Sequence, residues 1–314
     1  ASSYALSAPL VELLSCAPEL LAQPEYAPLM CRVWEETVLL APEDVLHAFG
    51  MSVYGAMAPM VGHPNSPVIM EPIFAIDMHV RALSTASLGA MANIMRATHL
   101  DEAIFASLCR ESDMYHVLQR CAILVSRMAL TMPPPMFHDM VRATASWPDL
   151  CRRLISTSAT LSHARSRKLV ALGLAHMLRH ASAQDKGLLS AVPDMIGMWT
   201  EVVGEVVEDE AGSADRYERE LSPTRALEIG EDGIPFLDEF GLIEAAPTPS
   251  SARTDAVRSR DPSFTVPLRA YVADTLNAVL QNGSYKTQLQ SLLATIDPLV
   301  LDTLQRGLSE RPVA

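Results

Sequence analysis

His176 and His180 are the residues in this chain best placed by type and spacing to do chemistry, because imidazoles four apart on a helix can be aimed at one metal ion. The residue after His176 is Met177, so the glutamate base of a hydrolytic zinc helix is missing, and no third ligand stands close by. The pair reads as ordinary surface or half-buried histidines. A basic cluster of His163, Arg165, Arg167 and Lys168 lies at a helix start, where the macrodipole opposes cations. It reads as a solvated edge, with contact to an acidic partner as the functional alternative. The five cysteines (Cys16, Cys31, Cys109, Cys121 and Cys151) are odd in number and form no C-x-x-C pair, which indicates neither a disulfide framework nor a zinc site and favours a reducing compartment. The chain contains no G-x-S-x-G, no glycine-rich phosphate loop and no paired nucleophile and base. No catalytic residue, metal or cofactor is expected.

Charge is more informative. The 37 acidic and 24 basic residues leave a formal charge of −13, a field that repels nucleic-acid phosphates and attracts basic protein. Glu201, Glu205 and Glu208 recur at i, i+4 and i+7 and so share a helix face, with Asp209 beside them. Like charges on one face repel, and carboxylates at a helix C-terminus oppose its macrodipole, so a Lys/Arg-rich segment would relieve both penalties. These four residues are the candidate contact for a basic partner.

Helices must position all of this. Aromatic residues make up only 5% of a chain that is 49% hydrophobic and rich in Leu, Ala, Met and Val, a palette that suits helix packing better than sheets. Met114, Val117, Leu118, Cys121, Leu124, Val125 and Met128 follow the spacing of one helix face. Proline clusters such as Pro133-Pro134-Pro135 and Trp147-Pro148 mark where one helix ends and the next starts. Counting between these stops predicts helices over 26–40, 43–59, 67–83, 86–97, 100–110, 113–131, 134–145, 148–161, 163–180 and 186–208. Taken as about five antiparallel pairs they recur every 35 to 45 residues, the period of HEAT or armadillo units. No apolar run reads as long enough to cross a membrane, because charges, Pro or His interrupt each one.

The expected fold is all-α: a HEAT/ARM-type helix-pair solenoid with a right-handed superhelix over 1–210, an acidic and Pro/Ser-bearing linker over 211–260 that is partly disordered, and capping helices over 261–314. Inside the linker, Ile234-Pro235-Phe236-Leu237 is an apolar island that could dock on the solenoid. Tyr271, Leu276, Leu289, Leu292, Leu301 and Leu304 fall on the inner faces of the last helices and are assigned to the capping core.

The stretch from Asp261 to Leu308 resembles the closing segment of importin-β (karyopherin-β) nuclear transport receptors, nearest the importin-eleven branch. The matching residues are Asp261, Pro262, Thr265, Val266 and Leu268, and then Asp297, Leu304 and Gln305 in the final helix. Upstream, Arg167-Lys168-Leu169-Val170-Ala171-Leu172 resembles the start of a late repeat of that branch. The resemblance implies a receptor that shuttles between cytoplasm and nucleus, binds protein cargo and Phe-Gly nucleoporins, and meets the GTPase Ran through N-terminal repeats that precede this part. It also implies that the second helices of pairs, near 43–59, 113–131 and 186–208, line the concave side. The W-x-x-x-N ladder of importin-α-type adaptors is absent. A HEAT-repeat scaffold of a phosphatase, kinase or ubiquitin-ligase complex, or an exportin-type karyopherin, would show the same helical pattern.

Overall fold

The computed structural model describes residues 6–63, 68–110, 114–185, 187–212, 259–282 and 285–309, with Arg253, Ala256 and Val257 between; over 206–212 it describes the backbone alone. Every regular element among them is helical. Proline opens many of the helices: its fixed φ suits the first turn, where its missing N–H costs nothing. Thus α1 (Ala8–Ser15), α2 (Ala17–Leu21), α3 (Ala27–Leu40) and α4 (Pro42–Gly62) each carry a proline in the first two positions. Next come α5 (Met70–Ala82), α6 (Thr85–Ala97), α7 (Leu100–Cys109) and α8 (Tyr115–Thr131). Pro134 opens α9 (Pro134–Thr144), and Ser146 caps α10 (Trp147–Ser158) by accepting the Asp149 amide. The array ends with α11 (Ala164–Arg179), a 3-10 turn at Leu189–Ala191 and α12 (Val192–Gly212). The expected linker over 211–260 lies mostly outside the described residues, and beyond it stand α13 (Pro262–Thr265), α14 (Leu268–Gln281), α15 (Lys286–Leu293) and α16 (Pro298–Ser309).

The helices stack in two rows. One runs α3, α5, α8, α11, α14; the other runs α4, α7, α10, α12, α16, and each member packs on the next in its row and on a helix of the other row. This is a helix-pair solenoid in which each unit of the array packs on its neighbours, with the C-terminal segment reaching back to α5 and α8. Strict alternation of pairs does not describe it, because α6 and α9 belong to neither row: α6 lies against α4 and α7, and α9 against α7 and α8. The second and third units therefore have three helices. In consequence α8 stands in the row opposite α4 and α12, so the expected grouping of 43–59, 113–131 and 186–208 on one side is corrected. The physical reason is visible in burial. Helix α6 buries a single face of Leu88, Met91, Ala92 and Met95, whereas α8 is covered on all sides from Cys121 to Ala129.

One apolar core runs the length of the molecule, from Leu14 to Leu304. At its N-terminal end Trp34, Tyr54 and His79 pack edge to face. The Tyr54 hydroxyl donates to His79 Nδ1 at 2.7 Å, because Nε2 carries the proton given to the Pro42 carbonyl at 3.0 Å. Near the other end Trp199 Nε1 donates to the Ala171 carbonyl at 3.1 Å, tying α12 to α11. Helix α4 is the one described helix long and apolar enough by composition to cross a membrane, contrary to the expectation from its sequence. Its side chains Val45, Leu46, Val53, Tyr54, Met57 and Val61 are buried, and α2, α3, α5, α6 and α7 pack around it, as suits a core helix.

Helices α8 and α11 approach closely at Gly173, where an added Cβ would stand 2.8 Å from Ser126 Cβ and 2.9 Å from its Cα. Gly173→Ala should destabilise the fold by about 1–3 kcal/mol, because backbone must move to admit the methyl group. Gly197→Ala, on α12 with nothing within 4 Å of the new atom, should stabilise it by about 0.5–1 kcal/mol through helix propensity. Urea midpoints that shift in the same direction for the two variants contradict this packing.

Candidate functional site

The most highly organised polar site is the seam where the C-terminal segment returns to the array. Asp77 and Arg81, one turn apart on α5, meet Arg127 of α8 and Asp261, the N-cap of α13. Arg127 donates from Nε at 3.0 Å and approaches through its second guanidinium nitrogen at 2.9 Å, both to Asp261 Oδ2. Its remaining nitrogen bonds Asp77 Oδ1. Arg81 binds the other Asp77 oxygen at 2.8 Å and stands 3.6 Å from Asp261 Oδ2. Asp261 Oδ1 accepts the Ser263 amide at 2.9 Å and hydroxyl at 2.7 Å. Two cations and two anions thus cancel in a site where the Arg127 and Asp261 side chains are 3% and 2% exposed.

The energetics follow from that burial. Desolvation is the largest influence on Asp261 and would raise its pKa, but Arg127, Arg81 and the two Ser263 hydrogen bonds together outweigh it and hold the carboxyl well below the usual carboxylate range. Arg127 is likewise penalised by burial, yet its two carboxylate partners raise its pKa. A buried ion pair adds little net stability over an apolar replacement, but removing one member strands the other at a cost of about 3–5 kcal/mol. Asp261 is therefore bound to its place by the presence of Arg127.

Arginines continue along the seam. Arg165 of α11 lies 4.3 Å from the Phe264 ring centroid, and Arg179 lies 5.4 Å from that of Tyr271. The Tyr271 hydroxyl bonds His176 Nδ1, and the His176 and His180 rings stand 4.4 Å apart. Burial first, then His180, His138 and Arg179, lower His176 to a pKa of about 4. Among the described residues no group of three His, Cys, Asp or Glu could hold a metal ion. The histidine pair serves the seam.

The residues assigned to the capping core divide. Leu289 and Leu304 are buried, while Tyr271, Leu276, Leu292 and Leu301 are half-buried and packed against the core. The innermost face of α14 is instead Leu268, Val272, Thr275 and Val279, an i, i+4, i+7, i+11 series readable in the sequence. At the end of α12, Glu201 is exposed and Glu205 half-buried, and Arg167 bonds both, at 3.1 Å to Glu201. The repulsion on that face is thus relieved within the chain by a residue of the basic cluster. The side chains of Glu208 and Asp209, and the island at 234–237, lie outside the described residues.

A second polar centre lies between α9 and the loop after α11. The fully buried Asp185 accepts from the Ser182 amide (2.7 Å) and hydroxyl (2.8 Å), His138 Nδ1 (3.0 Å) and Trp147 Nε1 (3.1 Å). It forms the floor of an open groove of about 750 Å³. Its partners on α9 and α10 tie the loop that leads to α12 to the preceding unit.

With this geometry in view, the model of the family "Importin-11-like, TPR repeats" matches residues 1–309. The chain belongs to this family. Among solved structures, Lph2, described as a novel bidirectional nuclear transport receptor of S. cerevisiae, superposes with a TM-score of 0.71 at 15% identity, covering 98% of this chain and 32% of that one. The importin-11-like chain thus shares the karyopherin solenoid fold and spans about a third of the length of that receptor. No curated protein matches it.

Asp261→Asn and Arg127→Met should each lower unfolding free energy by about 3–5 kcal/mol, and the double variant by clearly less than their sum, because the second change removes the charge the first one strands. Additive losses in a double-mutant cycle contradict the pairing. Acid should act elsewhere first. His79 and His176 have folded pKa values lowered to about 4, so the unfolded chain binds more protons than the folded one between about 4 and 6.5. Their contribution is complete above about 6.5 and declines as pH falls toward 4, by up to about 1.4 kcal/mol per unit for the fully buried His79. Asp261, with its depressed pKa, holds its contribution until pH falls below the ordinary carboxylate value. Urea midpoints that stay level from pH 7.5 to 5 contradict this order.

Proposed function

We propose that the chain is the C-terminal part of a non-enzymatic nuclear transport receptor that binds protein cargo and Phe-Gly nucleoporins and works with Ran through repeats N-terminal to it. The observation that carries this reading is the importin-11-like family match over residues 1–309, on a chain that folds as a helix-pair solenoid. The physics is compatible. Units that contact only their neighbours let an array open or tighten at small cost per unit and follow cargo of differing shape. A formal charge of −13 steers basic cargo toward the receptor. Glu201 and Glu205, with Glu208 and Asp209 beyond them, are the proposed contact, where a Lys or Arg of the cargo would share or replace the hold of Arg167. Exposed apolar side chains such as Leu29 on α3 and Tyr115 on α8 are of the kind that shallow nucleoporin contacts use. The location that follows is cytoplasm and nucleus, with passage through pores.

The test uses the full-length parent, loaded in turn with Ran bound to a non-hydrolysable GTP analogue and to GDP. Ran should bind in the GTP state, and cargo affinity should change with it in one direction for import and the other for export. Indifference to nucleotide points instead to a scaffold. Changing Glu201, Glu205, Glu208 and Asp209 to Gln or Asn should weaken a basic cargo peptide several-fold at about 50 mM salt and have less effect at about 200 mM, where screening is stronger. Equal affinity of variant and parent at both salt concentrations contradicts the acidic contact.

A further inference from the structure

Four arginines mark one strip of the first row: Arg81 on α5, Arg127 on α8, and Arg165 and Arg179 on α11. In a chain of formal charge −13 such a strip, offset on α5 by Asp77, is a local excess of cations, and the C-terminal segment meets every member of it. Asp261 meets Arg81 and Arg127, the Phe264 ring meets Arg165, and the Tyr271 ring meets Arg179. Behind these contacts Leu268, Val272 and Val279 enter the core beside α11. The segment therefore engages the strip as a bound helical peptide would: an acidic N-cap in a two-arginine socket, aromatic rings under cations at the third and tenth residues beyond it, and an apolar face buried between.

We infer that this face is a peptide-binding surface, filled here by the chain's own segment, that takes in its place an amphipathic helical segment of a partner protein with the same chemistry: an Asp or Glu N-cap followed by aromatic residues. The recognition logic is set by the socket. A carboxylate at an N-cap satisfies a helix amide and two guanidiniums at once, whereas an occupant without it leaves Arg81 and Arg127 to share the single carboxylate of Asp77, a buried cluster with one excess positive charge. The surface thus selects for the acid and rejects basic helices, the opposite preference to the acidic end of α12. Binding of such a partner is coupled to release of residues 261–281, because both need the same arginines. The inference stands on charge and geometry and does not depend on which cargo the receptor carries.

The experiment uses the full chain and, as probe, a fluorescein-labelled synthetic peptide with the sequence of residues 259–282, read by fluorescence anisotropy. Wild-type chain should bind it weakly, since the tethered segment competes at an effective concentration on the order of millimolar. The variant Asp261→Asn with Phe264→Ala, whose own segment is a poor competitor, should bind at least tenfold more tightly. The gain should vanish when the probe itself carries Asp261→Asn or when the chain also carries Arg127→Met. A folded variant, by circular dichroism and cooperative melting, that binds no better than wild type overturns the inference, as does binding insensitive to Arg127→Met. Should the variant fail to fold, hydrogen exchange on wild-type chain decides. Excess unlabelled peptide should speed exchange in residues 261–281 while α8 stays protected, and unchanged exchange there overturns the inference equally.

Discussion

The buried pairing of Arg127 with Asp261 is the constraint on which the rest of the molecule depends. Arg127 sits in the middle of α8, the most enclosed helix of the array, where an unpaired guanidinium is excluded by its desolvation cost. Its two carboxylates come from α5, which is part of the array, and from Asp261, which is 134 residues away along the chain. Arg81 and Asp77 complete neutrality. The central units and the C-terminal segment therefore depend on each other: without the segment Asp77 alone faces the charges of Arg81 and Arg127, and without α8 the acid of Asp261 keeps only the more distant Arg81 and Ser263. A repeat array that could in principle end after any unit is closed in this way at a defined place.

Apolar packing then does what the ion cluster cannot. Charges fix position and register, while α14 on α11 and α16 on α12 cover the faces that the last pair would otherwise expose to water. The close approach at Gly173 and the bond from Trp199 to the Ala171 carbonyl hold α8, α11 and α12 as one block, so the segment docks on a rigid surface.

Much of this was legible in residues. Proline stops and the 3.6 period located α3 to α11 within a few residues, because both act locally. The 3-10 turn that displaces the start of α12 to Val192 was not legible, since it depends on the loop organised by Asp185. Nor was the row to which α8 belongs, because membership is decided by which faces find neighbours, and the narrow apolar stripe of α6 looks like that of any pair member until its contacts are known. Asp261 drew notice for its resemblance to receptor closing segments, but its partners did not. The available signal was Arg127 itself, a lone charge within the run from Ile123 to Ala129, which demands a buried acid from somewhere. The two-sided charge of α12 was half legible: its acidic face could be read from spacing, while Arg167 as its answering cation comes from a different helix.

Native-state hydrogen exchange by mass spectrometry tests the central dependence most directly, because it asks whether distant segments open together. The amides of α8, α11 and α14 should exchange with similar opening free energies and respond in common to added urea, as parts of one cooperative unit. Exchange in α14 that is faster than in α8 by several orders of magnitude, with a separate urea dependence, would show that the array holds Arg127 without the C-terminal segment and would contradict the account.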